Sequence, residues 1–78
     1  MERIGVLVAC YGSREAAIID SLCRSEKYRV EVFAADKQQN PFISERAKKH
    51  VVIPDFNIDD ICKFTEKNKN ELDFAIIS

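Results

Sequence analysis

Within four residues, Gly12-Ser13-Arg14-Glu15 gathers groups suited to holding a phosphorylated small molecule. Glycine lets a backbone approach a ligand closely. A serine hydroxyl can accept bonds from first-turn N–H groups of a helix, and those N–H groups, with the positive end of the macrodipole, favour an anion. Arginine adds a charge-assisted bond to phosphate, while glutamate accepts bonds from ribose hydroxyls or an amine. Two further residues, Asp36 and Asn40, follow the next apolar run and are expected above the same sheet edge, within reach of a ribose.

These residues need a scaffold that ends a strand and starts a helix at residue 12. Residues 4–9 are short, apolar and rich in Val and Ile, the pattern of a strand covered on both faces. Ser13 then caps a helix over residues 13–24, with Ala16, Ile19 and Cys23 on its buried stripe beside Ile18 and Leu22. Residues 30–35 form a second strand, in which Glu31 suggests a strand end or edge. Residues 36–41 are a loop, and Pro41 is tolerated in the first turn of a short helix over 42–49. A third strand spans 51–53. Asn57 caps a third helix over 58–67, with Ile58, Ile61, Cys62 and Thr65 inward and Phe64 widening the face. A fourth strand spans 72–77.

This alternation predicts an α/β, Rossmann-like three-layer fold with a four-stranded parallel sheet in the order 3-2-1-4. Its ligand site lies beside strand 1 at the topological switch point. At 78 residues the chain makes one domain, too small for a large self-sufficient enzyme. Twelve basic and thirteen acidic residues leave a net charge of -1, so nucleic acid is not an expected partner. No apolar run is long enough for a membrane span, and no signal-peptide pattern opens the chain. Three widely spaced cysteines suggest neither a disulfide framework nor a zinc set, which fits a reducing cytoplasm. Cys10, near the mouth and the helix start, is either a reactive thiol or a small core residue. Cys23 and Cys62 read as packing, His50 as a surface residue, and Arg46, Lys48 and Lys49 as the wet face of the short helix.

Two nucleotide motifs can be weighed against the glycine turn. A dinucleotide fingerprint needs G-x-G-x-x-G, of which only the middle glycine is present: Cys10 occupies the first position and Glu15 the third. Asp36 would then be the ribose-binding acid of an NAD site. A P-loop is excluded, because no Gly-Lys-Ser or Gly-Lys-Thr follows.

A different match runs along the chain. Gly12, Arg14, Glu15 and Ala17, after the Val6-Leu7-Val8 strand, fit G-S-G-G-R-E-H-A or G-G-G-A-R-E-H-A. Cys10, Tyr11, Ser13 and Ala16 depart from that pattern. Asn40-Pro41-Phe42-Ile43 fits N-P-G-I, Phe64-Thr65-Glu66-Lys67-Asn68 fits F-A-x-x-N, and Leu72-Asp73-Phe74-Ala75-Ile76-Ile77 fits a strand leading into G-P-E. In these four segments the chain resembles the N-terminal, pre-ATP-grasp domain of phosphoribosylamine-glycine ligase (glycinamide ribonucleotide synthetase), in an archaeal-like variant. That resemblance implies part of an enzyme of purine biosynthesis, which joins glycine to phosphoribosylamine with ATP. Gly12, Ser13, Arg14, Glu15 and Asn40 would be substrate-binding and none catalytic. ATP and Mg would be held by the remainder of the ligase, a partner of this segment, with no cofactor bound here. The resemblance also implies that residues 1–78 are a fragment whose fourth strand is cut short. A diverged phosphate-binding or interaction module is the alternative.

Overall fold

A computed structural model describes residues 1–10 and 13–77, Ser13 through its backbone alone. The elements are β1 (Glu2–Ala9), α1 (Ser13–Cys23), β2 (Tyr28–Asp36), α2 (Pro41–Arg46), β3 (Lys49–Val52), α3 (Ile58–Lys67) and β4 (Phe74–Ile77), with a 3-10 turn at Lys69–Glu71. All strand pairings are parallel, and the sheet order is β3-β2-β1-β4, as expected.

Strand alternation divides the core between two faces. Val6, Val8 and Cys10 of the first strand segment, with Val32 and Ala34 of β2, pack against Ile19 of α1 and Ile43 of α2. On the other face, Ala9 and Ala35 pack with Ile53, Ile61 of α3, Phe56 and Phe64. Leu7 and Phe33 are buried as well. Each such aliphatic or aromatic side chain stabilises the fold by about 1.5 to 3 kcal/mol relative to exposure, so the two inner strands carry most of the apolar stabilisation.

Several boundaries move for identifiable reasons. The first two strands begin two residues early because Glu2 and Arg3 pair in register with Tyr28 and Arg29. α2 stops at Arg46, where Ala47 is extended and the Lys48 N–H donates to Val32 O at 2.8 Å, so β3 starts at Lys49. Glu31 lies on an inner strand, yet β3 pairs with β2 only from Phe33 onward. On that side its half of the strand is open, and Glu31 is bonded to Arg3 with Lys48 at 3.6 Å.

Strand β4 starts at Phe74, two residues later than expected, because the 3-10 turn occupies the preceding chain. The Asp73 N–H donates to Gly5 O at 2.8 Å, and the Gly5 N–H donates to Asp73 Oδ2 at 2.9 Å. Gly5 is required by that approach: a Cβ there would stand 1.8 Å from the Glu71 carbonyl oxygen. β4 itself is an edge strand with Phe74 62% and Ile77 58% exposed.

The helix faces hold over most of their length and depart at single residues. On α1 Ile19 is buried with Ala16, Ile18 and Leu22 packed beside it as expected, Glu15 joins them, and Cys23 is exposed. On α3 the inward residues are Ile61 and, just beyond its last turn, Asn68, while Ile58 and Cys62 are exposed. The two cysteines therefore do not serve as packing residues. Lys48 and Lys49 lie beyond α2. Lys48 Nζ sits 2.7 Å from Glu71 Oε1, and Lys49 Nζ donates to Asn68 Oδ1 at 2.8 Å. No helix among the described residues is long and apolar enough to cross a membrane.

Candidate functional site

On the face covered by α1 and α2, the carboxyl ends of β1 and β2 lie beside the start of β3, and three ionisable side chains meet there. Glu15 comes from the first turn of α1, Asp36 from the last residue of β2, and His50 from β3, where Ala34 is its register partner. Parallel register explains the meeting. Asp36 and His50 lie on the same face of neighbouring strands, and the short β1–α1 connection brings Glu15 back over that face.

This cluster is inside the protein. Glu15 is 2% and Asp36 8% exposed. The His50 imidazole is also buried, and its Nε2 lies 2.5 Å from Asp36 Oδ2. Glu15 bonds to Asp36 and accepts from the Cys10 backbone N–H. Its Oε2 is buried and has no partner among the described residues.

Two carboxyl groups that touch away from water cannot both ionise cheaply. Burial is the larger cause and the bond and charge of Asp36 the next, and together they push the Glu15 carboxyl up to about 9. At neutral pH Glu15 is therefore an uncharged acid. The cluster can hold a proton, accept a hydrogen bond at Oε2 and present no carboxylate charge at the start of α1.

The other residues singled out in the sequence fall around this cluster. Arg14 is exposed on the first turn of α1. α1 begins at Ser13, and Gly12 and the Ser13 side chain, with the capping expected of Ser13, lie outside the described residues. Asn40 caps α2, its Oδ1 accepting from the Phe42 N–H at 3.1 Å. Glu15, although it stands in the first turn of a helix, is buried and not solvated. His50 is not a surface residue either. Asp36 is buried against His50 and not open to a ribose, which removes the contact a dinucleotide reading needs from it. Cys10 is 2% exposed, and its Sγ donates to Ile76 O at 3.7 Å, as a core residue tied to β4.

Sequence reasoning passed over His50. An isolated histidine at a strand start carries no motif, and only the β2–β3 register puts it beside Asp36. The usable signal was alternation: residues 50 and 52 share a face, and Asp36 ends the neighbouring strand on that same face. Among the described residues, no group of three or more His, Cys, Asp or Glu side chains is placed to hold a metal ion. Comparison with protein-family models, curated proteins and solved structures found no match.

Proposed function

We propose that this chain is the N-terminal, substrate-binding segment of an ATP-dependent phosphoribosylamine-glycine ligase, contributing a loop that contacts the phosphoribosyl group. The observation that carries the reading is the pairing of an exposed Arg14 with a buried, uncharged Glu15 in one helix turn at the carboxyl edge of the sheet. First-turn N–H groups of α1 and the Arg14 guanidinium attract phosphate, and no carboxylate charge at Glu15 opposes it. Doubly wound sheets take their ligands at this edge, where the strand order reverses. The four matching segments supply the specific substrate class.

The bare edge strand supports a larger assembly. An apolar groove of about 330 Å³, lined by Ile4, Val6, Leu22, Phe74 and Ile76 among others, runs between α1 and β4. Exposed apolar edge strands are usually covered or paired in stable proteins. In the proposed ligase the remainder of the polypeptide would cover β4 and hold ATP and Mg, which supply the phosphoryl chemistry, in the cytoplasm where purines are made.

The parent coding sequence tests this directly. It is expected to continue past Ser78 into a proline-glutamate loop and an ATP-grasp domain, and its product to form glycinamide ribonucleotide from phosphoribosylamine, glycine and ATP. A reading frame ending at Ser78 with no ATP-grasp partner gene would refute the ligase reading and favour a diverged phosphate-binding module.

A further inference from the structure

We propose that Asp36 and His50 are positioning residues for Glu15, fixing it as an uncharged group whose unpartnered oxygen accepts a hydrogen bond from a hydroxyl of a phosphorylated sugar. The proposal rests on the phosphoribosyl-binding reading above and adds residues that the resemblance does not assign.

Geometry carries the case. Glu15 Oε2 is a buried acceptor without a donor among the described residues, at the junction of β1 and α1. Burying such an atom is costly unless a partner arrives. A sugar hydroxyl supplies a donor without charge. The same sugar brings phosphate, and an ionised Glu15 would repel it in a low-dielectric setting.

Asp36 and His50 fix the group that acts on Glu15. Asp36 Oδ2 lies 2.5 Å from His50 Nε2, which ties the Asp36 carboxyl to β3 while it bears on Glu15. Glu15, touching that carboxyl and buried, retains its proton.

Among the described residues, the groups facing Glu15 are few. Cys10, following β1, offers its backbone N–H while its thiol turns to Ile76 O; β2 offers Asp36; β3 acts through His50. On α2, Glu45 and Arg46 are exposed, as is Lys37 after β2, and Arg14 is exposed on α1 itself. Asp36 is the one charge among the described residues that raises the Glu15 carboxyl.

The test measures the affinity of the intact chain for ribose 5-phosphate from pH 7 to 10 by isothermal titration calorimetry. Carbon-detected NMR of the Glu15 carboxyl is run beside it. Over this range the phosphate is already a dianion, so its own titration adds nothing. Wild-type affinity is expected to hold through pH 8 and then weaken, approaching tenfold per pH unit as Glu15 ionises near about 9. Glu15→Gln should keep the pH 7 affinity throughout. Asp36→Asn should move the onset of weakening to lower pH, an effect that loss of packing alone does not produce.

Binding with the same pH dependence in wild type and Glu15→Gln would overturn this proposal and leave the phosphoribosyl reading standing. No binding at any pH would overturn both. Should either variant fail to fold, the wild-type carboxyl signal decides alone: titration of Glu15 in the ordinary carboxylate range would overturn the assignment.

Discussion

Replacing Glu15 by glutamine should stabilise the protein at neutral pH, although it alters one of the most buried polar side chains. Glu15 is 2% exposed and its carboxyl is raised from 4.5 to about 9. Between those values the folded chain holds a proton that the unfolded chain has released, so stability falls as pH rises, by about 1.4 kcal/mol per pH unit. At pH 7 the accumulated cost is about 3 kcal/mol, and between pH 5 and pH 8 it grows by about 4 kcal/mol. For a domain of this size that is a large share of the roughly 4 to 12 kcal/mol expected in total. Glutamine is neutral at every pH and can donate its amide N–H to Asp36. Urea unfolding followed by far-ultraviolet circular dichroism from pH 4 to 8 measures both proteins. Near pH 4 they should be equally stable, and by pH 7 Glu15→Gln should lead by up to about 3 kcal/mol. Parallel profiles, or a variant weakened equally at every pH, would refute the reasoning that Glu15 is held uncharged.

Gly5→Ala should destabilise by about 3 kcal/mol, at the top of the usual overpacking range, because its Cβ meets the backbone carbonyl of Glu71 at 1.8 Å; thermal unfolding reads this directly. Asn40→Ala should cost about 1 kcal/mol through the lost α2 cap, while Asn40→Asp, which keeps an accepting oxygen, should stay close to wild type in the same measurement. On the acid side, Glu31 is held below the ordinary carboxylate range chiefly by its bond to Arg3, and Glu71 chiefly by its bond to Lys48. Their contribution is present above the ordinary glutamate value and is lost as pH falls through the lowered values. Melting temperature should therefore drop on acidification below about pH 4.5, and less steeply in Glu71→Gln.

The fold was legible because its signals are local. Residues 4–9 and 30–35 are short apolar runs, Asn57 and Asp60 announce a helix start, and strand-helix alternation with right-handed crossovers leaves few sheet orders. Helix faces were less legible. On α1 Ala16, Ile18, Ile19 and Leu22 pack as the pattern says, but the packed side also contains Glu15, which a hydrophobic pattern assigns to water, and it omits Cys23. The site was half visible: Glu15 and Asp36 stand out by type and position, whereas His50 acquires its role from strand register across fourteen residues. Asn40 shows the converse. Its place after β2 suggests a ligand contact, yet the following Pro41-Phe42 draws its side chain into capping.

Titration of the isotopically labelled chain with glycinamide ribonucleotide, followed through backbone amide shifts, tests the central claim most directly. We expect saturable shifts concentrated at residues 12–16, where Gly12, Ser13, Arg14 and Glu15 stand, with smaller changes at the buried Asp36 and His50. Amides in that turn that stay silent at millimolar ligand would contradict a phosphoribosyl site at the start of α1.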